Sequence, residues 1–130
     1  MKTPSCQVVH IESGQTLLES AHWCHSFVSK ARGFTFRRSL NPGEGLVLVE
    51  PNDSRMNSAI TMLFTFCNLG VVWVNSAGEV VDKTLAKPWR LSYVPQSPAR
   101  YAIEAEPAIL DQIQVGDHVR FDPLSNESDA

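Results

Sequence analysis

The stretch that decides the fold is Ala59-Ile60-Thr61-Met62-Leu63-Phe64-Thr65-Phe66-Cys67-Asn68-Leu69-Gly70-Val71-Val72-Trp73-Val74-Asn75, followed by Ser76-Ala77-Gly78-Glu79 and Val80-Val81-Asp82. So dense an apolar run has to be buried, and Thr61, Thr65, Asn68 and Gly70 interrupt it too often for a membrane span. It predicts one strand around Ile60–Leu63 and another around Val71–Val74. A third, Val80–Leu85, pairs back across the turn at Gly78.

Upstream, Gln7–Glu12 and Thr16–Ala21 are β-prone runs around Ser13-Gly14-Gln15, which predicts a hairpin. Phe27, Val28, Ala31 and Phe34 then fall on one face of a short helix near residues 24–33. Asn41-Pro42-Gly43 is a turn signal, Gly45–Glu50 reads as a buried strand stopped by Pro51, and 52–57 as a polar loop. Downstream, Pro88, Pro95 and Pro98 mark an irregular stretch, and Tyr101–Ala105 alternates as a strand. Pro107 suits the first position of one helical turn. Gly116-Asp117 turns into a last strand, His118–Phe121. About eight short antiparallel strands with one short helix predict a mostly β sandwich or barrel. The expected organisation is one domain over 1–122, with a disordered polar tail over 123–130.

A chain of 130 residues can bury ~65–70% of its unfolded surface and needs no metal or disulfide staple. The net charge of −3 argues against nucleic acid as the main partner. No apolar segment follows Met1–Gln7, so no secretory leader is expected. Cys6, Cys24 and Cys67 are odd in number and lack CxxC spacing, which favours reduced thiols in the cytoplasm.

Six motifs occur in a familiar order: Lys30-Ala31-Arg32-Gly33-Phe34-Thr35-Phe36-Arg37; Leu40 with Gly45-Leu46-Val47-Leu48; Asn68-Leu69-Gly70 before the hairpin; Pro88-Trp89-Arg90; Glu104; and Gly116-Asp117. From about Val8 to Phe121 the chain resembles the bacterial and archaeal family known as domain of unknown function 192. The resemblance implies a mostly β fold with a short helix across one end, and it brings no established reaction. It also implies a cleft near the central block, where family members carry an Asp. Here Gly70 stands in that place and Asn68 replaces a Pro. Glycine has no group to take or give a proton, so chemistry based on that Asp is not expected here. If the Asp serves only to cap the hairpin backbone, little is lost.

His22-Trp23-Cys24-His25 packs three possible zinc ligands into four residues, but adjacent positions seldom converge on one ion and no second pair stands at zinc spacing. No metal and no cofactor are expected. Cys67 in the apolar run reads as packing rather than a nucleophile. No Gly-x-Ser-x-Gly elbow and no His-Glu-x-x-His helix is present. Lys30, Arg32, Arg37 and Arg38 form the one basic cluster, a solvated face or, with Arg55 and Arg90, an anion site. Glu104 among Ala102, Ile103 and Ala105 reads first as the partner of one of these arginines and second as a ligand contact. Trp73 reads as core and Trp89 as the exposed tryptophan.

The residues expected around a ligand are Arg37, Thr61, Trp89, Arg90 and Glu104. The leading expectation is a non-enzymatic binding or accessory module for a small anionic or polar ligand. Two alternatives stay open: a small hydrolase or transferase acting on a polar substrate in a cleft near Glu104, with Glu104 or a histidine as base and favoured by Glu104 within reach of His22 or His25, and a protein-interaction subunit.

Overall fold

Leu69–Val74 (β4) is buried at every position, which explains why its sequence is continuously apolar rather than alternating: both faces of the strand are covered. The computed structural model describes residues 5–24, 43–63 and 65–124. The remaining strands are β1 (Ser5–His10), β2 (Thr16–Cys24), β3 (Glu44–Ser54), β5 (Val80–Ala86), β6 (Ala99–Ala105) and β7 (Val119–Pro123), with a short 3-10 helix at Pro107–Asp111. They form one seven-stranded sheet in the order β5-β4-β6-β3-β2-β1-β7. Neighbours are antiparallel except for the parallel pair β2–β3.

The sheet curls into a half-barrel whose two edges meet. The Val80 amide donates to the Asp117 carbonyl at 2.8 Å, Gly116 donates to Val80 at 2.9 Å, and Val119 donates to Gly78 at 2.9 Å. Val8, Val47, Val72, Val80, Ile103 and Val119 therefore share one cluster, although they come from both edges and the centre of the sheet, so this face is the concave one. Ile109 and Ile113 close it. The half-buried Lys83 ties this closure down: its Nζ donates to the carbonyls of Leu110 at 2.6 Å and Ile113 at 2.9 Å. The opposite face carries a second cluster with Cys24, Leu46, Ile60, Met62, Val71, Trp73 and Ala102. Trp73 satisfies its indole N–H on the Ser58 carbonyl at 2.8 Å, as a buried tryptophan must.

The mostly β fold, the 71–74 and 80–85 strands and the single turn after Pro107 agree with the sequence reading. Three expectations are corrected. Ile60–Leu63 is not a sheet strand; it makes one isolated bridge, Ile60 to Tyr93. Pro51 does not stop β3, which runs on to Ser54 through an irregularity between Val49 and Ser54, a place where a missing amide is tolerated. Among the described residues the sheet has seven strands, close to the eight or so expected, but one of the pairings expected to be antiparallel is parallel. The helix expected near 24–33 lies outside the described residues apart from Cys24, which ends β2. Of the expected tail, Pro123 belongs to β7 and 125–130 lie outside the described residues.

Candidate functional site

Alternation along β6 sends Ile103 and Ala105 into the concave cluster and Ala102 and Glu104 to the other face. The in-register neighbours of Glu104 are Leu46 on β3 and Val71 on β4, both members of the apolar cluster there. Glu104 is 6% exposed, and desolvation pushes its carboxyl up to about 7. At neutral pH such a group is divided between an acid that can donate a hydrogen bond and a carboxylate that only accepts. Cys24 lies on the same face, and its thiol is pushed up by burial first and by the Glu104 charge second.

A flap of two chain segments covers this face. Ile60 and Tyr93 exchange backbone hydrogen bonds at 3.0 and 2.9 Å, the Met62 amide donates to Arg90 at 2.9 Å, and the Trp89 amide donates to Met62 at 2.8 Å. Alternation then drives Ile60 and Met62 into the cluster and leaves Thr61 and Leu63 outside. Trp89 has φ 67°, a left-handed conformation that is costly for a bulky side chain. Its half-exposed ring meets Phe66 edge-on at 5.4 Å.

Of the expected ligand residues, Thr61, Trp89 and Arg90 are thus brought together on the flap, and Glu104 lies on the sheet face that the flap covers. Arg37 lies outside the described residues. The expected Arg–Glu104 pair is not made by any described arginine that has a partner. Arg55 donates to the Pro95 carbonyl, Arg100 to the Glu50 carbonyl and Arg120 to Asp122. Among the described residues no hydrogen bond or ion pair reaches the Glu104 carboxyl. His22 pairs in register with Leu46, which itself pairs with Glu104, so the two lie two strands apart. Two strand spacings are roughly 10 Å, too far for direct proton transfer. His25 lies outside the described residues.

Gly70 has a different setting. It pairs with Ala105, not Glu104, and its α-carbon faces the 3-10 helix, where a Cβ would lie 2.7 Å from Ile109 Cγ2 and 2.9 Å from the Glu106 carbonyl. The central block therefore turns Gly70 and the partner of Glu104 to opposite faces of the sheet, a division that motif spacing alone did not reveal.

Sequence reading also missed a constellation at the barrel seam. His10 ends β1, Glu12 sits in the following turn and Asp117 precedes β7, and one ligand atom from each lies within 4.8 Å of the others. His118 joins them through Glu12 at 2.7 Å. The His10-x-Glu12 spacing and the Gly116-Asp117-His118 turn are visible in the sequence, but only the β1–β7 pairing joins them across more than a hundred residues.

Fold and site together define a small curled half-barrel domain with an acid buried on its convex face. The sequence matches the family DUF192, described as Uncharacterized ACR, over residues 8–121, and the chain belongs to that family. It is 31% identical over 119 residues to a UPF0127 protein of Pyrococcus furiosus, covering 90% of this chain and 99% of that one. A UPF0127 protein of Pyrococcus abyssi is 35% identical over 98 residues, covering 74% and 80%. Among solved structures, a Sinorhizobium meliloti protein provisionally described as a transcription regulator superposes with a TM-score of 0.77 at 17% identity, covering 92% of this chain and 94% of that one. A protein of unknown function from Novosphingobium aromaticivorans gives 0.73 at 20% identity, covering 89% and 83%. At such identities these two establish the fold alone.

Proposed function

We propose that the chain is a non-enzymatic binding module, in which the flap carrying Thr61, Trp89 and Arg90 admits a small polar ligand to the Glu104 carboxyl. The observation that carries this reading is Glu104 itself, buried between Leu46 and Val71 with no partner among the described residues. Desolvation of its charged form costs stability, and a ligand offering one donor and one acceptor would offset that cost. The strained Trp89 backbone supports the flap as the moving part, since strain of this kind gathers where a segment has two positions. The buried thiols Cys6 and Cys24 support a reducing, cytoplasmic setting.

A thermal-shift screen of carboxylates, phosphates and saccharides tests the proposal. Ligand at 100 times its Kd should contribute about 2.7 kcal/mol. A stabilising compound whose effect disappears in Glu104→Leu and weakens in Trp89→Gly is the expected result. No stabilisation by any class, or a hit indifferent to Glu104, overturns it.

A catalytic reading rests on the same residue, because a carboxyl at about 7 is poised for general acid or base work at neutral pH. A turnover rate that follows one ionisation near pH 7 and vanishes in Glu104→Gln would favour this second reading over pure binding.

A further inference from the structure

We propose that His10, Glu12 and Asp117 form a site for a divalent first-row transition-metal ion, with zinc as the best-fitting probe, at the seam where the half-barrel closes. Such an ion would staple the β1–β2 turn to the loop that enters β7.

The geometry is nearly that of a three-ligand metal site. His10 Nε2 stands 2.8 Å from Asp117 Oδ2 and 3.6 Å from Glu12 Oε1, and the three donor atoms lie within 4.8 Å of one another. Ligands about 2.0–2.1 Å from a tetrahedral ion are roughly 3.3 Å apart, so the two His10 distances straddle the required value. For the His10 pairs the adjustment is a few tenths of an ångström, and the Glu12 and Asp117 donors, within 4.8 Å of each other, would close by at most about 1.5 Å. One imidazole nitrogen and two carboxylate oxygens suit zinc or manganese, with water completing the shell.

Each ligand is also held from outside. His10 Nδ1 contacts Ser13 Oγ at 2.6 Å, which leaves Nε2 to face the carboxylates. Glu12 is held by the His118 amide at 2.8 Å and by His118 Nδ1 at 2.7 Å. Asp117 Oδ2 accepts the Gln114 amide at 3.0 Å. Partners of this kind orient metal ligands and fix the imidazole tautomer. The backbone is equally constrained: His10 donates to Gln15, Gly14 to His10, and Ile11 to His118, all at 2.8–2.9 Å. The ligands are therefore largely in place before an ion arrives.

Charge and access agree with this assignment. Two carboxylates meet His10 at the centre, with His118 touching Glu12 from outside, and negative charge remains for a cation to neutralise unless both imidazoles are protonated. The His10 side chain is 11% exposed, Asp117 26% and Glu12 43%, so the cluster is anchored on a buried histidine and opens to water on its Glu12 side. A metal-free clasp, in which His10 simply hydrogen-bonds to Asp117, is the competing account, and it makes opposite predictions in solution.

The test uses the tag-free chain, stripped with a chelator and then titrated with zinc chloride by calorimetry. One saturable ion per chain is expected, with a rise in Tm. Asp117→Asn and Glu12→Gln should each weaken binding at least tenfold, and Ser13→Ala, which touches only the outer shell, by about tenfold. Manganese added to the 15N-labelled wild type should broaden the amides of residues 11–13 and 117–118 first, a readout that needs no variant to fold. Absence of saturable binding, binding indifferent to Asp117→Asn and Glu12→Gln, or broadening centred elsewhere overturns the proposal. In the last case His22 and Cys24 would be the next place to look.

Discussion

Gly70 and Glu104 occupy neighbouring strands one residue out of register, and they face opposite sides of the sheet. Val71 is the partner of Glu104, whereas Gly70 pairs with Ala105. Gly70 therefore does not look onto the buried acid of β6. In this chain the space beside Gly70 is filled by Ile109 and the Glu106 carbonyl. A glycine here lets the 3-10 helix approach β4 and close the concave core.

Gly70→Ala should therefore destabilise the protein by about 1–3 kcal/mol through overpacking against backbone that has little room to give. Gly70→Asp should cost more, because it adds a carboxylate to the same filled space. Urea unfolding measures both. An unchanged midpoint for Gly70→Asp would mean that the 3-10 helix can move away freely, contrary to the contacts described.

Glu104 should make stability fall as pH rises. Its folded carboxyl sits near 7 against an ordinary value of 4.5, so between these values the folded state holds the proton more tightly than the unfolded state. Its relative contribution is complete below about pH 4.5 and is lost as pH rises through 7, amounting to roughly 3 kcal/mol in all. Glu104→Gln should flatten that slope and be the more stable protein at pH 8. Urea midpoints at pH 5 and pH 8 for both proteins decide it. Parallel pH profiles would mean that Glu104 finds a charged partner after all.

Lys83→Met should lower stability by about 1–3 kcal/mol. The ammonium serves the carbonyls of Leu110 and Ile113 and the Gln114 side-chain oxygen at 3.2 Å, and methionine leaves those acceptors unpaired with little loss of bulk. Lys87→Met at an exposed position is the control, expected within ±0.5 kcal/mol. Equal midpoints for the two variants would show that the Lys83 contacts contribute nothing net.

Much of this fold is legible from local pattern. The Asn75–Glu79 turn is written in Asn75, whose side chain accepts the Ala77 and Glu79 amides, and in Gly78, which supplies φ 85°. Trp73 as core follows from its valine neighbours. Ile60–Leu63 misled because alternation in a covering flap obeys the same period of two as alternation in a strand: Ile60 and Met62 are buried and Thr61 and Leu63 are not. Only the hydrogen-bond partners differ, and those come from residues 89–93. Glu104 stood out because a charge in an apolar strand is rare, yet the absence of a described arginine beside it depends on where Arg55, Arg100 and Arg120 spend their donors. The seam cluster was illegible for a simpler reason: its members are far apart in sequence, and the barrel's closure alone brings them together.

Thiol labelling should report the same buried acid from a second direction. Cys6 and Cys24 are each 3% exposed, and the Cys6 thiol is pushed up to about 11 by burial, with Asp122 adding to it. Iodoacetamide at pH 8 should therefore modify the half-buried Cys67 first, with Cys6 and Cys24 reacting more slowly from the folded chain. The Glu104 charge also holds up the Cys24 thiol, and at pH 8 that charge is mostly present. Glu104→Gln should then speed Cys24 labelling at pH 8 while leaving Cys6 unchanged. Near pH 6, where Glu104 is mostly neutral, wild type and variant should label Cys24 alike. Mass spectrometry of the three cysteine peptides over time separates these outcomes. Acceleration of both buried cysteines would instead mean that the variant merely opens more often.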